Sequence, residues 1–245
     1  MKLVLAEPKF LRDSVSIISE LVNEATFKIT TNGMELIAMD PANVAMVIFK
    51  LLSSAFQEFK VEEEIDLSIN LSNFKQILKR AKPSDVLILE IDENKLKLTF
   101  EGKNKRTFYL PIMDVDGNDQ KVPDLSFPIH VTTQTQILDE AIADVDVVAE
   151  SVAFIIKGNK LIIQAEGDLS KAKIEIDADD STKIDAEKDA RAKYSIEYLK
   201  KMIAASKISN DVTIEFNENY PLKLAYTTMD KVLLSFILAP RVEND

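Results

Sequence analysis

The chain has 245 residues, 46% hydrophobic and 29% charged, with no cysteine and a formal net charge of −11. This is the composition of a globular protein long enough for two cores, and it excludes disulfides, cysteine-bound zinc and thiol catalysis. Bulk acidity argues against a nucleic-acid binder, and no apolar run reaches the roughly 18 residues of a membrane span.

Residues 2–6 alternate as a strand. Met1-Lys2-Leu3-Val4-Leu5 turns polar too quickly for a signal peptide, so a cytoplasmic location is expected. From Pro8 to Val22, Phe10, Leu11, Val15, Ile18, Leu21 and Val22 recur at three- and four-residue spacing, which predicts an amphipathic helix. Strand-like runs follow at 25–30, 34–39, 44–50 and 65–70. A second helix is predicted over 72–81, with Phe74, Ile77 and Leu78 buried and Ser72 as N-cap. Strands at 86–91, 95–100 and 105–111 follow, the first two joined by the turn Asp92-Glu93-Asn94.

The stretch from Met113 to Asp124 is polar, carries Gly117 and Pro123 and lacks periodicity, so it reads as an exposed connector. This divides the chain into domains at 1–113 and 127–245, with a connector at 114–126. The second half replays the first: a strand at 127–132, a helix at 134–146 and strands at 151–157, 160–166 and 170–177. Lys157-Gly158-Asn159 is a tight turn. A polar loop at 178–190, a strand at 191–195, a helix at 196–206 and strands at 211–216, 221–227 and 231–238 complete it. Two helices and many antiparallel strands per half predict an α+β fold.

The replay extends to residues. Positions 11–40 lie on 138–167 without a gap, placing Phe27 on Phe154, Asn32 on Asn159, Leu36 on Ile163 and Ala38 on Ala165. Asp85-Val86 falls on Asp211-Val212, and Leu96-Lys97-Leu98 on Leu222-Lys223-Leu224. This spacing is far longer than the about 20–50 residues of a solenoid repeat. It reads as a duplicated domain.

Positive charge is segregated. The first helix carries Lys9 and Arg12, the second Lys75, Lys79, Arg80 and Lys82, and the fourth Lys200, Lys201 and Lys207. Acids gather at Glu62-Glu63-Glu64, Asp177-Ala178-Asp179-Asp180 and Glu243-Asn244-Asp245. Basic helix faces on an acidic protein can bind phosphate backbones locally, and without interleaved aromatics they do not suggest base stacking. The third helix differs: it has Asp139, Glu140, Asp144 and Asp146 and no basic residue. Either it avoids nucleic acid or its acids meet a basic partner.

Other signals are weak. Asp114-Val115-Asp116-Gly117-Asn118-Asp119 looks briefly like a calcium loop, but its glycine comes early and the twelfth position is Leu125. Asp177, Asp179 and Asp180 sit together without histidines, so a solvated loop is expected in place of a two-metal site. His130 has no serine or cysteine constellation nearby, and no glycine-rich phosphate loop exists. No catalysis, metal or cofactor is expected.

Over its whole length the chain resembles PCNA, the sliding-clamp family of archaea and eukaryotes. The motifs are Ala38-Met39-Asp40-Pro41, the lysine-rich Leu71–Lys82, Lys105-Arg106-Thr107-Phe108 and the near-terminal Leu238-Ala239-Pro240-Arg241. The short connector and lack of cysteine are more similar to the archaeal branch. The resemblance implies three chains closing head to tail into a ring of six domains around duplex DNA. Helices line the hole, and DNA passes without sequence readout. It implies a DNA polymerase processivity factor with polymerase, flap endonuclease, DNA ligase and clamp loader as clients.

The family's client pocket, carried over by motif, implies Met39, Val44, Val122, Pro123, Pro221, Ile237, Ala239 and Pro240. The sequence departs from many members in having Asn43 for His and Ile237 for Tyr. The family's ring contact implies pairing of an edge strand near 105–110, with Arg106 and Phe108, to a neighbour's strand near 171–177, with Lys173 and Ile174. Asp139, Glu140 and Asp144 would then face Arg80, Lys82 and Arg106 of the next subunit, and salt should loosen the ring. Two alternatives stand: one subunit of a heterotrimeric clamp, and, in another class, a metal-dependent nuclease.

Overall fold

The structure, a computed structural model, describes residues 1–114 and 120–241. Val115–Asp119, within the expected connector, and the acids Glu243 and Asp245 lie outside the described residues. Among those described, no helix is long and apolar enough to cross a membrane.

The chain separates into two compact units. One comprises Met1–Pro41, Val47–Val122 and Thr228–Leu234; the other comprises Ala42–Met46, Pro123–Thr227 and the residues from Ser235. In chain order the first half forms β1 (Lys2–Leu5), α1 (Lys9–Ile18), β2 (Glu24–Thr30), β3 (Gly33–Met39), β4 (Ala45–Leu52), β5 (Glu58–Lys60), β6 (Ile65–Asn70), α2 (Leu71–Leu78), β7 (Val86–Asp92), β8 (Lys95–Glu101) and β9 (Lys105–Pro111). The second half forms β10 (Ile129–Gln134), α3 (Thr135–Asp146), β11 (Ser151–Ile156), β12 (Lys160–Glu166), β13 (Lys171–Asp177), β14 (Thr182–Ala186), β15 (Ala190–Ser195), α4 (Ile196–Ile203), β16 (Asp211–Phe216), β17 (Leu222–Thr228) and β18 (Val232–Leu238).

Strands of the first half run in the orders β5-β1-β7-β8-β9 and β4-β3-β2-β6. Those of the second run β14-β10-β16-β17-β18 and β13-β12-β11-β15. Each strand has its counterpart at the same place, so the duplication read in the residues is one of topology. Registers are antiparallel, with Leu3 opposite Leu89 and Phe154 opposite Ile163. Alternation puts one face of each strand inward: Leu87 and Leu89 of β7 and Leu96 and Leu98 of β8 are fully buried.

The repeat-related Phe27 and Phe154 occupy the two cores. Phe27 meets Phe49 and Phe74 edge-on at 6.1 and 6.0 Å. Phe154 meets Tyr194 and Phe216 at 5.6 and 6.2 Å. Such pairs add about 0.5–1.5 kcal/mol beyond the area they bury.

Three local expectations are corrected. Ser72 is not the N-cap of α2: Asn70 is, its Oδ1 accepting the Asn73 N–H at 2.9 Å, so the helix starts at Leu71. The 178–190 stretch is not all loop. It holds β14, pinned by a 2.8 Å hydroxyl contact between Thr182 and Thr133; its residues read as polar because it is an edge strand. The helix predicted over 8–22 stops at Ile18, because the bonds Glu20 N–H to Ile17 O and Leu21 N–H to Ile18 O tighten the chain into turns. Leu21 and Val22 stay buried beyond the helix, which is why periodicity overran it.

Candidate nucleic-acid interface

In each unit the two helices pack side by side, α1 with α2 and α3 with α4. α1 buries Leu11, Val15 and Ile18, and α2 buries Leu71, Phe74 and Leu78. α3 buries Leu138, Ile142 and Val145, and α4 buries Ile196, Leu199 and Met202. Amphipathicity therefore turns the charged residues away from the sheets.

The basic residues fall into two groups. Arg12 pairs with Asp13 at 2.9 Å, Lys75 with Glu20, Lys200 with Asp146 at 2.6 Å and Lys201 with Glu197 at 3.0 Å. Lys9, Lys79, Arg80, Lys82 and Lys207 are exposed and form no ion pair with a described residue. Of these pairings, only the four-residue spacing of Glu197 and Lys201 is legible in the sequence.

Arg106 is engaged inside its own unit. Its guanidinium pairs with Asp85, donates from Nη1 to the Arg80 carbonyl at 2.9 Å and lies 5.3 Å over the Phe100 ring. Asp85 is only 1% exposed and also accepts the Lys82 N–H at 2.7 Å. The clasp ties β9 to the chain leaving α2, which carries Lys79, Arg80 and Lys82. Asp85 had stood out only as one of the repeat-matched residues; its role depends on Arg106, distant in sequence.

The acids of α3 also differ from one another. Asp139 is half-buried, and its buried Oδ1 has no hydrogen-bond partner among the described residues. Burial pushes its pKa up, against a hydrogen bond with Ser206. The buried Tyr226 hydroxyl also lacks a partner among the described residues; burial and then the Asp139 charge drive its pKa above the ordinary tyrosine range. Glu140 accepts from Gln136 at 2.8 Å, and Asp144 is exposed.

β9 and β13 end their strand orders. Their burial alternates identically, with Arg106, Phe108, Ala172 and Ile174 half-buried between exposed neighbours. Phe108 stacks edge-on with Phe100 at 5.8 Å. On β13, hydrogen bonds from Lys160 and then Lys173 hold the Glu175 pKa at about 2. β18 is differently placed. The Ala239 N–H donates to the Val44 carbonyl, and the Leu52 N–H to the Lys231 carbonyl, both at 2.9 Å and each bond within one unit.

Of the expected client-pocket residues, Val44, Pro123, Pro221, Ile237, Ala239 and Pro240 belong to the second unit, and Met39 and Val122 to the first. Val122 and Pro123 are exposed, Ile237 is 8% exposed, and the others are intermediate. The Ala239–Val44 hydrogen bond joins two of them.

Two of the clustered aspartates have structural partners: Asp179 Oδ1 accepts the Ser181 and Thr182 N–H groups at 2.7 and 2.8 Å, and Asp177 pairs with Lys160 at 3.2 Å. His130 Nδ1 lies 3.0 Å from Glu215, its cross-strand neighbour.

Comparison with known proteins places these features in context. Family models described as proliferating cell nuclear antigen, N-terminal domain and C-terminal domain, match residues 1–120 and 121–241. DNA polymerase sliding clamps of Thermococcus fumicolans and Pyrococcus furiosus are 38% and 34% identical, each alignment covering 99% of both chains. A crystal structure of PCNA from Thermococcus kodakaraensis superposes with TM-score 0.92 at 25% identity, covering 98% of this chain and 99% of that one. A PCNA2–PCNA3 complex from Sulfolobus tokodaii gives TM-score 0.90 at 27% identity, covering 99% and 100%.

Proposed function

The chain belongs to the proliferating cell nuclear antigen family, and from that premise we propose that it is a DNA polymerase sliding clamp. It is a non-catalytic ring subunit that holds the polymerase on duplex DNA. The single observation that carries the reading is the strand-for-strand duplication: each unit presents a helix pair of its own beneath an equivalent set of strands.

The same duplication suggests how the ring closes. Ala239 and Lys231, which flank β18, are hydrogen-bonded to Val44 and Leu52 at the two ends of β4, while the counterparts β9 and β13 end their strand orders. Pairing β9 of one chain with β13 of the next satisfies edge groups that would otherwise face water. A heterologous contact of this kind closes when its rotation closes; here three chains of domains 1–113 and 127–245, with connectors at 114–126, make the ring. Phe108, Lys173 and Ile174 lie on the paired edges. Glu140 and Asp144 supply charge opposite Arg80 and Lys82, whereas Arg106 supports the edge through Asp85.

DNA passes along the helices held by lysine and arginine contacts to phosphates, which carry no sequence information. Contacts that are weak and interchangeable have no register to break, so the ring slides. The surface around Val44, Ala239 and Pro240 takes short client segments by apolar anchors, from polymerase, flap endonuclease, ligase and clamp loader.

Light scattering combined with primer extension tests the reading. The expected result is a mass three times the 27.5 kDa chain, falling as salt rises, and longer products per polymerase binding event once the ring is loaded. No effect on product length at any salt refutes it. A monomer at micromolar concentration points instead to one subunit of a heterotrimer, a reading that the acidic α3 favours.

A further inference from the structure

We propose that Asn32 is a site of covalent self-modification, where the neighbouring backbone converts its side-chain amide into aspartate or isoaspartate. Asn32-Gly33 is the only Asn-Gly step in the sequence. It lies in the β2–β3 turn and includes no residue assigned above to DNA, clients or the ring contact.

The turn supplies what the reaction needs. Asn32 is exposed, and its side-chain amide forms no hydrogen bond with a described residue. Gly33 has no Cβ to hinder its nitrogen, and Thr30 opposite Gly33 is the terminal rung of the β2–β3 ladder, where pairing opens most readily. The Ser53 N–H donates to the Asn32 carbonyl at 2.9 Å. A donor on that oxygen draws electron density from the Gly33 nitrogen of the same peptide group and makes its N–H easier to deprotonate. The fold also holds the glycine in place. Gly33 has φ +148°, and a Cβ there would collide with the Leu51 carbonyl oxygen, so no other residue fits.

The matching hairpin of the second unit is built differently. Gly158, at φ +57°, precedes Asn159, and Lys160 follows it. Asn159 is likewise exposed, and its carbonyl accepts the Ala178 N–H at 3.3 Å. The two repeat-related asparagines therefore differ chiefly in the residue whose nitrogen must attack, and the Lys160 side chain crowds that approach.

Hydroxide removes the Gly33 amide proton, and the nitrogen attacks Asn32 Cγ. The new N–C bond closes a succinimide ring as the bond from Cγ to the side-chain nitrogen breaks; that nitrogen takes a proton from water and leaves as ammonia. Water then opens the ring. Attack at Cγ restores the main chain with aspartate, whereas attack at the main-chain carbonyl carbon routes the chain through the side chain as isoaspartate. Either product adds a negative charge. Isoaspartate also lengthens the backbone and displaces the carbonyl that takes the Ser53 N–H. Ser53 opens a short turn that is tied to the β17–β18 turn through the bonds Leu52 N–H to Lys231 O and Ser54 hydroxyl to Asp230 O, so the first unit loosens there.

In the experiment the intact protein is held warm at mildly alkaline pH, sampled against a zero-time control, digested and read by peptide mass spectrometry that separates aspartate from isoaspartate. Amide loss at Asn32 is expected to run several-fold faster than at Asn159, with isoaspartate among the products and faster hydrogen exchange at the Ser53 amide of the aged protein. Asn32→Ser, which keeps a turn former, is expected to show no such ageing at Ser53. Equal rates at the two asparagines, or an Asn32 that stays intact while Asn159 converts, overturn the proposal. Unchanged exchange at Ser53 after conversion overturns its structural consequence.

Discussion

Asp85→Ala removes one carboxylate that serves two donors, the Arg106 guanidinium and the Lys82 N–H. Hydrogen bonds to a charged group contribute about 1.5–3 kcal/mol each, and removing one member of a buried pair costs about 3–5 kcal/mol because the other is stranded. The Arg106 side chain is 24% exposed and can partly rehydrate, so the low end applies: about 3 kcal/mol. For a chain of this length each kcal/mol moves Tm by about 2–4 °C, giving a fall of about 6–12 °C. The assay is thermal unfolding by circular dichroism at fixed protomer concentration, since subunit association shifts Tm by mass action. Hydrogen exchange should locate the loosening at residues 79–82. Asp85→Asn, which keeps an acceptor for the Lys82 N–H, should fall between. A Tm drop below about 2 °C for the alanine variant would refute the view that this pair holds the α2 end.

Gly102→Ala should act on the same clasp, because a Cβ there collides with the Asp85 carboxylate; the expected cost is about 1–3 kcal/mol in denaturant unfolding. Ser14, fully buried with a hydroxyl that has no partner among the described residues, should be improved by Ala, raising stability by about 1 kcal/mol; a loss would mean the hydroxyl is satisfied in solution. Burial raises the Asp139 pKa above its unfolded value, so between the two values the native state binds more protons and stability falls as pH rises. Asp139→Asn should therefore raise Tm at neutral pH and remove that slope, and an unchanged pH profile counts against burial of the carboxylate. Ala239→Arg should abolish binding of client peptides in calorimetry, and undiminished affinity sinks the assignment of this surface to clients.

Much of the strand order was legible because alternation and duplication support one another. β12 was predicted at its observed bounds, Lys160–Glu166, and its counterpart β3 differs by one residue at its start. What escaped was local and polar: β14 and the three-residue β5 carry too few apolar side chains to show a period. The α2 cap at Asn70 was missed because Ser72 has equally good capping chemistry; only the turn geometry chooses between them.

The sequence by itself determined the duplication, the α+β class and which helices carry cations, since periodicity and residue type are properties of the chain alone. The tertiary structure decided which charges are free. Lys75 meets Glu20, Lys200 meets Asp146, and Arg106 meets Asp85, all across sequence gaps that no local pattern spans. A charge acts on a distant phosphate only through what its neighbours leave uncancelled, and those neighbours are chosen by packing.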